Sequence, residues 1–578
     1  MDFKKIFPIN CKNKWNKIYF SYYDESLEKQ YIEFDNFKHY FYFSDIQKPI
    51  IKMSDAKKFY SNNFKNDIQR FDNLYESDLQ ISRRFMIDTF GKEQSLEKTE
   101  LRIGYLDIEN LINGKINTEG KEPITSISIF DSKTDKNYTF VFDPRQEKID
   151  KENKIRFFKN EDDMLKSFTD FMSKCKFDIL TGWNLCKSDL GDGYDIPYLC
   201  NRLEKFGLLE KLSPFGIVEK AYNDNNKFII YGLDVVDYRA IYKHFKNLIG
   251  ENPPSTALEA VSEAELNQHK LETGDDLNLL YRNDINKYVE YNRQDVWLVK
   301  ELEKKLGYLN LIDEIRRISL CNFEDSTSNS IVIDNIIIKT LNQKGYIVQS
   351  RRSGNHKDSS YEGAYVAPTI PGIYNNILCL DFMSLYPFAI MNGNISPETL
   401  KKKIKKEEIF LYDIKEDEIL AANGAIFTKK VKGFIPQICE WLFSKRQEYK
   451  KLKSEAKNEI DKNKFDVSQT AYKILLNSIY GFMGASFTRF YSNDLAEAIT
   501  LSGQNIIKYS HSELKKIGCI LAAGDTDSVY LINEDLKTKE QTIEYGEYLS
   551  NYIDDKLKIY CKKNFNIGRE SVGEIISE

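Results

Sequence analysis

With 578 residues, 41% hydrophobic and 30% charged, the chain is long enough for several globular domains rather than one core. A net charge of −5 gives no overall attraction for phosphate, five histidines make histidine-based acid–base chemistry a poor fit, and no run of 18 apolar residues is present to span a membrane. The start, MDFKKIFPIN, lacks the apolar stretch of a secretory leader, and the nine cysteines form no CxxC pair, which argues against a disulfide framework or zinc module and for a reducing cytoplasm.

Residues 1–100 mix short aromatic-rich strands with helical stretches and carry no readable motif. LRIGYLDIEN at 101–110 reads as a buried strand, and strands and helices alternate from there to about 310, an α/β pattern. Residues 215–237 hold two β-like runs around Asn223-Asp224-Asn225-Asn226, a hairpin signal. The stretch 310–350 reads as helical and 351–375 as turn-rich. ILCLDF at 377–382 reads as the strand that opens a second α/β region, and 441–484 as two helices joined by a polar turn. Basic runs at 401–406 and 445–457 fit solvated helix faces as well as a DNA groove.

In Tyr105-Leu106-Asp107-Ile108-Glu109, side chains alternate, so Asp107 and Glu109 share one face and Leu106 and Ile108 the other. Two acids side by side on an apolar strand repel unless a cation lies between them. A divalent ion held by oxygen ligands is the economical answer, although a wet edge strand carries the same pattern. Thr181-Gly182-Trp183-Asn184 and Asp195-Ile196-Pro197-Tyr198-Leu199 follow. Tyr291-Asn292-Arg293-Gln294-Asp295 then falls in a helical stretch, Lys287 to Lys305, where Tyr291 and Asp295 share a face. Together these segments resemble the three exonuclease motifs of the DEDDy proofreading superfamily. The resemblance makes Asp107, Glu109, Asp195 and Asp295 ligands of two metal ions, Tyr291 the orienter of the attacking water, and Asn184 a DNA contact. Asn184 and Asp195 stand eleven positions apart, wider than in related phage enzymes, with residues 187–193 inserted. Asp189 and Asp192 therefore compete with Asp195, which is preferred because Ile-Pro-Tyr-Leu follows it.

Three later segments carry a second chemistry. They are Asp381-Phe382-Met383-Ser384-Leu385-Tyr386-Pro387, then Lys473-Ile474-Leu475-Leu476-Asn477-Ser478-Ile479-Tyr480-Gly481, then Gly524-Asp525-Thr526-Asp527-Ser528. Asp381 follows an apolar run and Asp527 lies between two, so adjacent buried strands would bring the acids together as phosphoryl transfer requires. Lys473 with Asn477, and Arg446 with Lys450, are i,i+4 pairs on helical stretches.

In type, order and approximate spacing these segments resemble motifs A, B and C of the family B DNA polymerases. The resemblance implies Asp381 and Asp527 as metal ligands with Asp525 in support. It makes Arg446, Lys450, Lys473 and Asn477 triphosphate contacts on a fingers domain, beside Ser384, Leu385 and Tyr386. Tyr386 resembles the steric gate, which rejects a 2′-OH by clash. Phe388 stands where a serine often follows. Tyr361-Glu362-Gly363-Ala364-Tyr365 looks like the family's YxG element, so Tyr361 and Gly363, with Tyr480 and Gly481, are implied DNA contacts. The run 394–399, NISPET, is similar to the T-even phage enzymes.

The fold implied is α/β and α+β multidomain: an RNase H-like 3′→5′ exonuclease domain plus family B palm and fingers. The expected domains are an N-terminal one at 1–100, with 310–350 packing back on it, the exonuclease at 101–309, palm at 351–440, fingers at 441–484 and further palm at 485–578. The KKRY-type palm element and thumb of the family are not found, so the expectation is either a split polymerase, with a second polypeptide bearing the thumb and clamp-binding tail, or a truncated gene or fragment. The implied function is DNA-dependent DNA synthesis with proofreading, in the host cytoplasm if phage-encoded, on primer-template DNA and dNTPs. Two Mg²⁺ per site, or Mn²⁺, and a sliding clamp complete the expectation. Competing readings are an exonuclease with a palm scaffold, or a non-catalytic subunit of a split polymerase.

Overall fold

The apolar run around Asp107 forms the strand Ile103–Asn110, at the heart of a seven-stranded mixed sheet. In order across the sheet, the strands are Lys148–Asp150, Ile155–Phe158, Lys136–Phe142, Ile124–Asp131, Ile103–Asn110, Ile179–Gly182 and Asp234–Asp237. Ile103–Asn110 runs antiparallel to Ile124–Asp131 and parallel to Ile179–Gly182, which is itself parallel to Asp234–Asp237. This arrangement is seen in a computed structural model that describes residues 6–35, 37–61, 63–93, 95–188, 190–222, 224–248, 252–272, 276–351, 363–375, 377–382, 384–533 and 535–566. Tyr361, Met383 and Asp189 lie outside the described residues.

The chain divides into two compact units, Met1–His39 with Leu79–Val332, and Tyr40–Asp78 with Ile333–Glu578. In the first unit, Leu106 and Ile108 enter a core with Ile127, Ile129, Phe168 and Leu199. The helix Ile285–Leu306 covers the face that carries Asp107 and Glu109. Asp284 caps it by accepting the Lys287 N–H at 3.0 Å, and Gly307 stops it with φ 66°. The hairpin anticipated near 223 forms from Val218–Ala221 and Asp224–Ile230. Asp224, Asn225 and Asn226 lie in the second strand, and Asn223 lies outside the described residues.

A three-stranded antiparallel sheet, Phe7–Lys14, Lys17–Tyr23 and Lys29–Phe34, adds two buried ion pairs to this unit. Lys29 Nζ lies 2.6 Å from Asp178, which also accepts the Tyr23 hydroxyl at 2.8 Å. Lys12 Nζ lies 2.7 Å from Glu324 and 3.8 Å from Asp234, and Asp234 accepts from Asn10 Nδ2 at 2.8 Å. Asp178 and Asp234 are both fully buried.

The second unit is built on a four-stranded antiparallel sheet in the order Val366–Ala367, Ile520–Asp525, Ser528–Ile532, Leu378–Asp381. Leu380, Val529 and Leu531 pack against Ile507 and the helix Lys539–Phe565 through Leu549, Ile553 and Leu557. The two helices expected at 441–484 are Phe434–Glu455 and Glu459–Gly484. The first starts earlier than expected because Pro436 falls in its first turn, where a proline costs no hydrogen bond. The basic runs are largely spent on acids: Lys401 pairs with Glu418, Lys403 with Asp494 and Glu497, and Lys445 with Glu448.

Candidate active sites

Three elements of the first unit deliver acids to one place. Asp107 and Glu109 project from Ile103–Asn110, Asp195 opens the helix Asp195–Lys205, and Asp295 lies on Ile285–Leu306. Asp195 accepts the Ile108 N–H at 3.0 Å. Asn292 donates to Asp107 at 2.6 Å and accepts from Ser126 at 2.7 Å, locking helix to sheet. The inserted residues form a closed excursion. The Tyr194 N–H donates to the Asn184 carbonyl at 2.8 Å and the Ile196 N–H to Leu185 at 2.9 Å. Asp195 thus lies buried in the cluster, while Asp192 pairs with Lys187 at the surface. Asn184, with φ 61°, is gripped from its side-chain end by Arg239 at 3.2 Å.

Burial, followed by mutual repulsion, holds the Asp107 carboxyl far above its ordinary range. Burial likewise pushes Glu109 and Asp195 up to about 8, and Asp295 to about 6. One cation relieves this. Lys270 Nζ lies 2.5 Å from Asp295 Oδ2 and donates to the Tyr291 hydroxyl at 2.9 Å. Tyr291 itself is pushed up to about 12 by burial and by Asp295, so its phenol keeps its proton. Among the described residues no three acids converge closely enough to ligate one ion as they stand. The donor set nevertheless suits a hard divalent cation: four mutually repelling carboxylates, with Asp295 Oδ1 buried and lacking a hydrogen-bond partner among the described residues.

The acids of the second unit sit differently. Asp381 ends its strand opposite Ser528, and the Phe382 N–H donates to the Asp527 carbonyl at 2.8 Å. The hairpin between the two strands turns through Thr526 at φ 51°. Asp527 is pushed up to about 6 by burial, then by Asp381 and Asp525, with Lys473 opposing. Asp381 is exposed and Asp527 half-buried, so the pair expected on buried strands is an open one, because both strands run out where the acids stand; Asp525 is exposed as well.

Ser384, with φ 57°, caps the helix Leu385–Asn392, and its hydroxyl accepts from Arg446 at 3.3 Å. Arg446 is buried on Phe434–Glu455, which also carries Lys450. Lys473, Asn477 and Gly481 are exposed on Glu459–Gly484, and the Tyr480 ring lies 4.6 Å from that of Tyr386. The Gly363 carbonyl accepts from Gln504 at 2.7 Å, and the Tyr365 carbonyl from the Thr526 N–H at 3.0 Å.

Residues 323–572 match DNA polymerase family B, and residues 72–261 match the family B exonuclease domain. The chain belongs to DNA polymerase family B. It is 25% identical over 587 residues to the DNA-directed DNA polymerase of Escherichia phage RB69, covering 83% of this chain and 64% of that protein. Against the DNA-directed DNA polymerase of Enterobacteria phage T4 it is 27% identical over 448 residues, covering 65% and 49%. Against DNA polymerase 1 of Pyrococcus abyssi the figures are 28% over 511 residues, 84% and 61%. The chain therefore spans between 49% and 64% of the length of these relatives.

Two residues of this family B chain escaped the sequence reading. Lys270 sits in a polar stretch with no motif around it. Only the fold brings it to Asp295, with its backbone N–H held by Glu259 at 2.6 Å. Gly503 lies on the helix Asn493–Lys516 behind motif A. A Cβ there would meet the Tyr386 ring and Leu385 at 3.3 Å. Its only signal is a glycine inside a helical pattern, which carries a cost and so needs a packing reason.

Proposed function

We propose that this chain is a DNA-dependent DNA polymerase with a 3′→5′ proofreading exonuclease, acting on primer-template DNA and dNTPs in the cytoplasm, the host's if it is phage-encoded. The observation that carries the reading is the register of Leu378–Asp381 on Ser528–Ile532, which sets Asp381 beside Asp527 at one end of one sheet. The domain division drawn from the sequence belongs to the proposal, as do a thumb-bearing polypeptide and a sliding clamp, which rest on the family resemblance.

In the synthetic site, Asp381 and Asp527 would hold two Mg²⁺ ions, with Asp525 in support; in the excising site, Asp107, Glu109, Asp195 and Asp295 would do so, and Mn²⁺ fits either set. When bound, these ions neutralise developing phosphate charge and lower the pKa of a water or 3′-OH. The chain's own groups do the rest. Arg446, Lys450, Lys473 and Asn477 bind and orient the triphosphate, and the backbone N–H groups around Ser384 and Leu385 face it at a helix start. The Tyr386 ring, backed by Tyr480, excludes a 2′-OH. Tyr480, Gly481 and Gly363, with Tyr361, contact DNA at the synthetic site, as Asn184 does at the excising one. There, the protonated Tyr291 phenol orients water, and Lys270 balances the acids before substrate arrives.

The test is primer extension and 3′ excision by the full chain, each assayed in Mg²⁺ with and without a candidate thumb-bearing partner. Absence of extension under both conditions, with the protein folded, would sink the synthetic half of the reading. Absence of excision on single strands would sink the other half.

A further inference from the structure

A ring of hydrogen bonds closes beside Asp195. The Trp183 indole N–H donates to the Thr256 carbonyl at 3.1 Å. Arg239, in the first turn of the helix Tyr238–Leu248, donates from Nε to the Thr256 hydroxyl at 3.1 Å and from Nη1 to Asn184 Oδ1 at 3.2 Å. Asn184 follows Trp183 in the chain, which completes the ring. Asp237 pins two of its corners, accepting the Asn184 N–H at 2.9 Å and the Arg239 N–H at 3.1 Å. The ring is fastened on both sides of Asp195, through Tyr194 to the Asn184 carbonyl and through Ile196 to the Leu185 carbonyl. Neither Arg239 nor Thr256 belongs to a motif legible in the sequence.

The chemistry of the ring decides which way the Asn184 amide faces. A guanidinium carries five N–H donors and no acceptor, so the amide atom beside it has to be the oxygen. The opposite orientation would set donor against donor. With Oδ1 taken by Arg239, Nδ2 is turned to the other side, where it makes no hydrogen bond among the described residues. The Asn184 side chain is half-exposed. Its backbone cannot swing to compensate, because both its N–H and its carbonyl are bonded at φ 61°. The site therefore offers a donor of fixed direction. A DNA strand presents acceptors on its backbone whatever its sequence, in its phosphate and sugar oxygens.

We infer that Arg239 is a positioning residue of the nuclease: it holds the Asn184 amide with its NH₂ outward, to donate to a backbone oxygen of the strand being excised. This rests on the nuclease reading above. Arg239 acts through Asn184 and not on the strand, so the inference draws on its donors rather than on its charge.

The experiment is excision of a single strand by the full chain in Mg²⁺, with kcat and KM separated and the Tm of each variant recorded. Arg239→Leu leaves the amide free to turn over. Its KM should rise roughly three- to tenfold, the worth of one neutral hydrogen bond, with the effect on KM rather than kcat. Arg239→Lys, also a donor without an acceptor, should recover most of the parent's KM. Asn184→Gly, which suits the positive φ, should raise KM to the same degree. Adding Arg239→Leu to Asn184→Gly should raise it no further, since nothing is left to orient. An unchanged KM in Arg239→Leu overturns the proposal. So does a double variant in which the two effects multiply, because Arg239 would then be an independent contact. So does a loss carried by kcat together with a lowered Tm, which would make the ring a scaffold only. If the parent excises and the variants match it, the inference alone fails; if the parent does not excise at all, the nuclease reading fails and takes the inference with it.

Discussion

The two carboxylate clusters solve the same electrostatic problem in opposite ways. In the first unit a helix covers the acids, burying Asp195 and Asp295 and half-burying Asp107 and Glu109, and a lysine from a remote stretch is brought in to offset them. In the second they stand at strand ends, half open to water, with Lys473 acting from a distance. Burial makes repulsion expensive and demands an internal cation; exposure lets solvent screen it. On the proposed function, a cluster of the first kind can stay covered until a strand end arrives, whereas one of the second kind has to admit a large triphosphate and so stays open.

The sharpest way to break this comparison is to remove one cluster at a time. Asp381→Asn should lower primer extension by roughly a thousandfold or more while leaving excision intact. Asp107→Ala with Glu109→Ala should do the reverse. If either change abolishes both activities in a folded protein, assayed side by side, the sites are not separate.

Lys270→Met tests the internal cation. Excision should fall by roughly a hundredfold, since the clustered acids lose a close cation. Extension should be unaffected. An unchanged excision rate would mean that the Lys270 contact is incidental.

Tyr386→Ala should raise ribonucleotide incorporation relative to deoxyribonucleotide by roughly tenfold or more, as the clash with the 2′-OH is relieved. Competition between rNTP and dNTP measures the ratio directly, and a constant ratio would make Tyr386 a packing residue only.

The pH response should separate the clusters further. Glu109 and Asp195 hold protons up to about 8 in the folded, metal-free chain. A raised carboxyl adds stability that is complete below the ordinary carboxylate range and lost as pH rises through the folded value. The Tm in EDTA should therefore fall as pH rises from the ordinary carboxylate range through about 8, and Mg²⁺ should restore it. Metal affinity at the nuclease cluster should climb over the same window, by roughly tenfold per pH unit for each proton displaced. A flat Tm would show that the acids are already ionised. The smallest effect is expected for Gly503→Ala. The added methyl presses on Tyr386 and Leu385, and should raise the KM for dNTP by about two- to fivefold with little change in Tm.

The sequence announced the acids well because strand alternation and i,i+4 spacing are local rules. Asp107, Glu109, Tyr291 and Asp295 could be placed on their faces without a fold. So could the order of the three polymerase motifs. What stayed illegible depended on distant pairing. Lys270 gives no local sign of its partner, and the closure of the insertion by the Tyr194–Asn184 hydrogen bond is a matter of tertiary geometry. The hairpin turn was displaced for a related reason. The four polar residues 223–226 looked like a turn, but register put Asp224, Asn225 and Asn226 in the second strand. Exposure of Asp381 was missed because an apolar run says that a strand is buried, not where it ends.

The lysines at positions 12 and 29 are made early in synthesis, and the acids they neutralise, Asp234 and Asp178, come much later. As the chain leaves the ribosome, the cations wait for their anions rather than the reverse. The nuclease sheet can then close without passing through a state in which those carboxylates are buried and bare. A fragment cut at residue 101 forfeits this. It would bury two carboxylates without their lysines, at a cost of several kcal/mol each. Such a fragment should emerge insoluble, whereas one beginning at the first strand should refold reversibly.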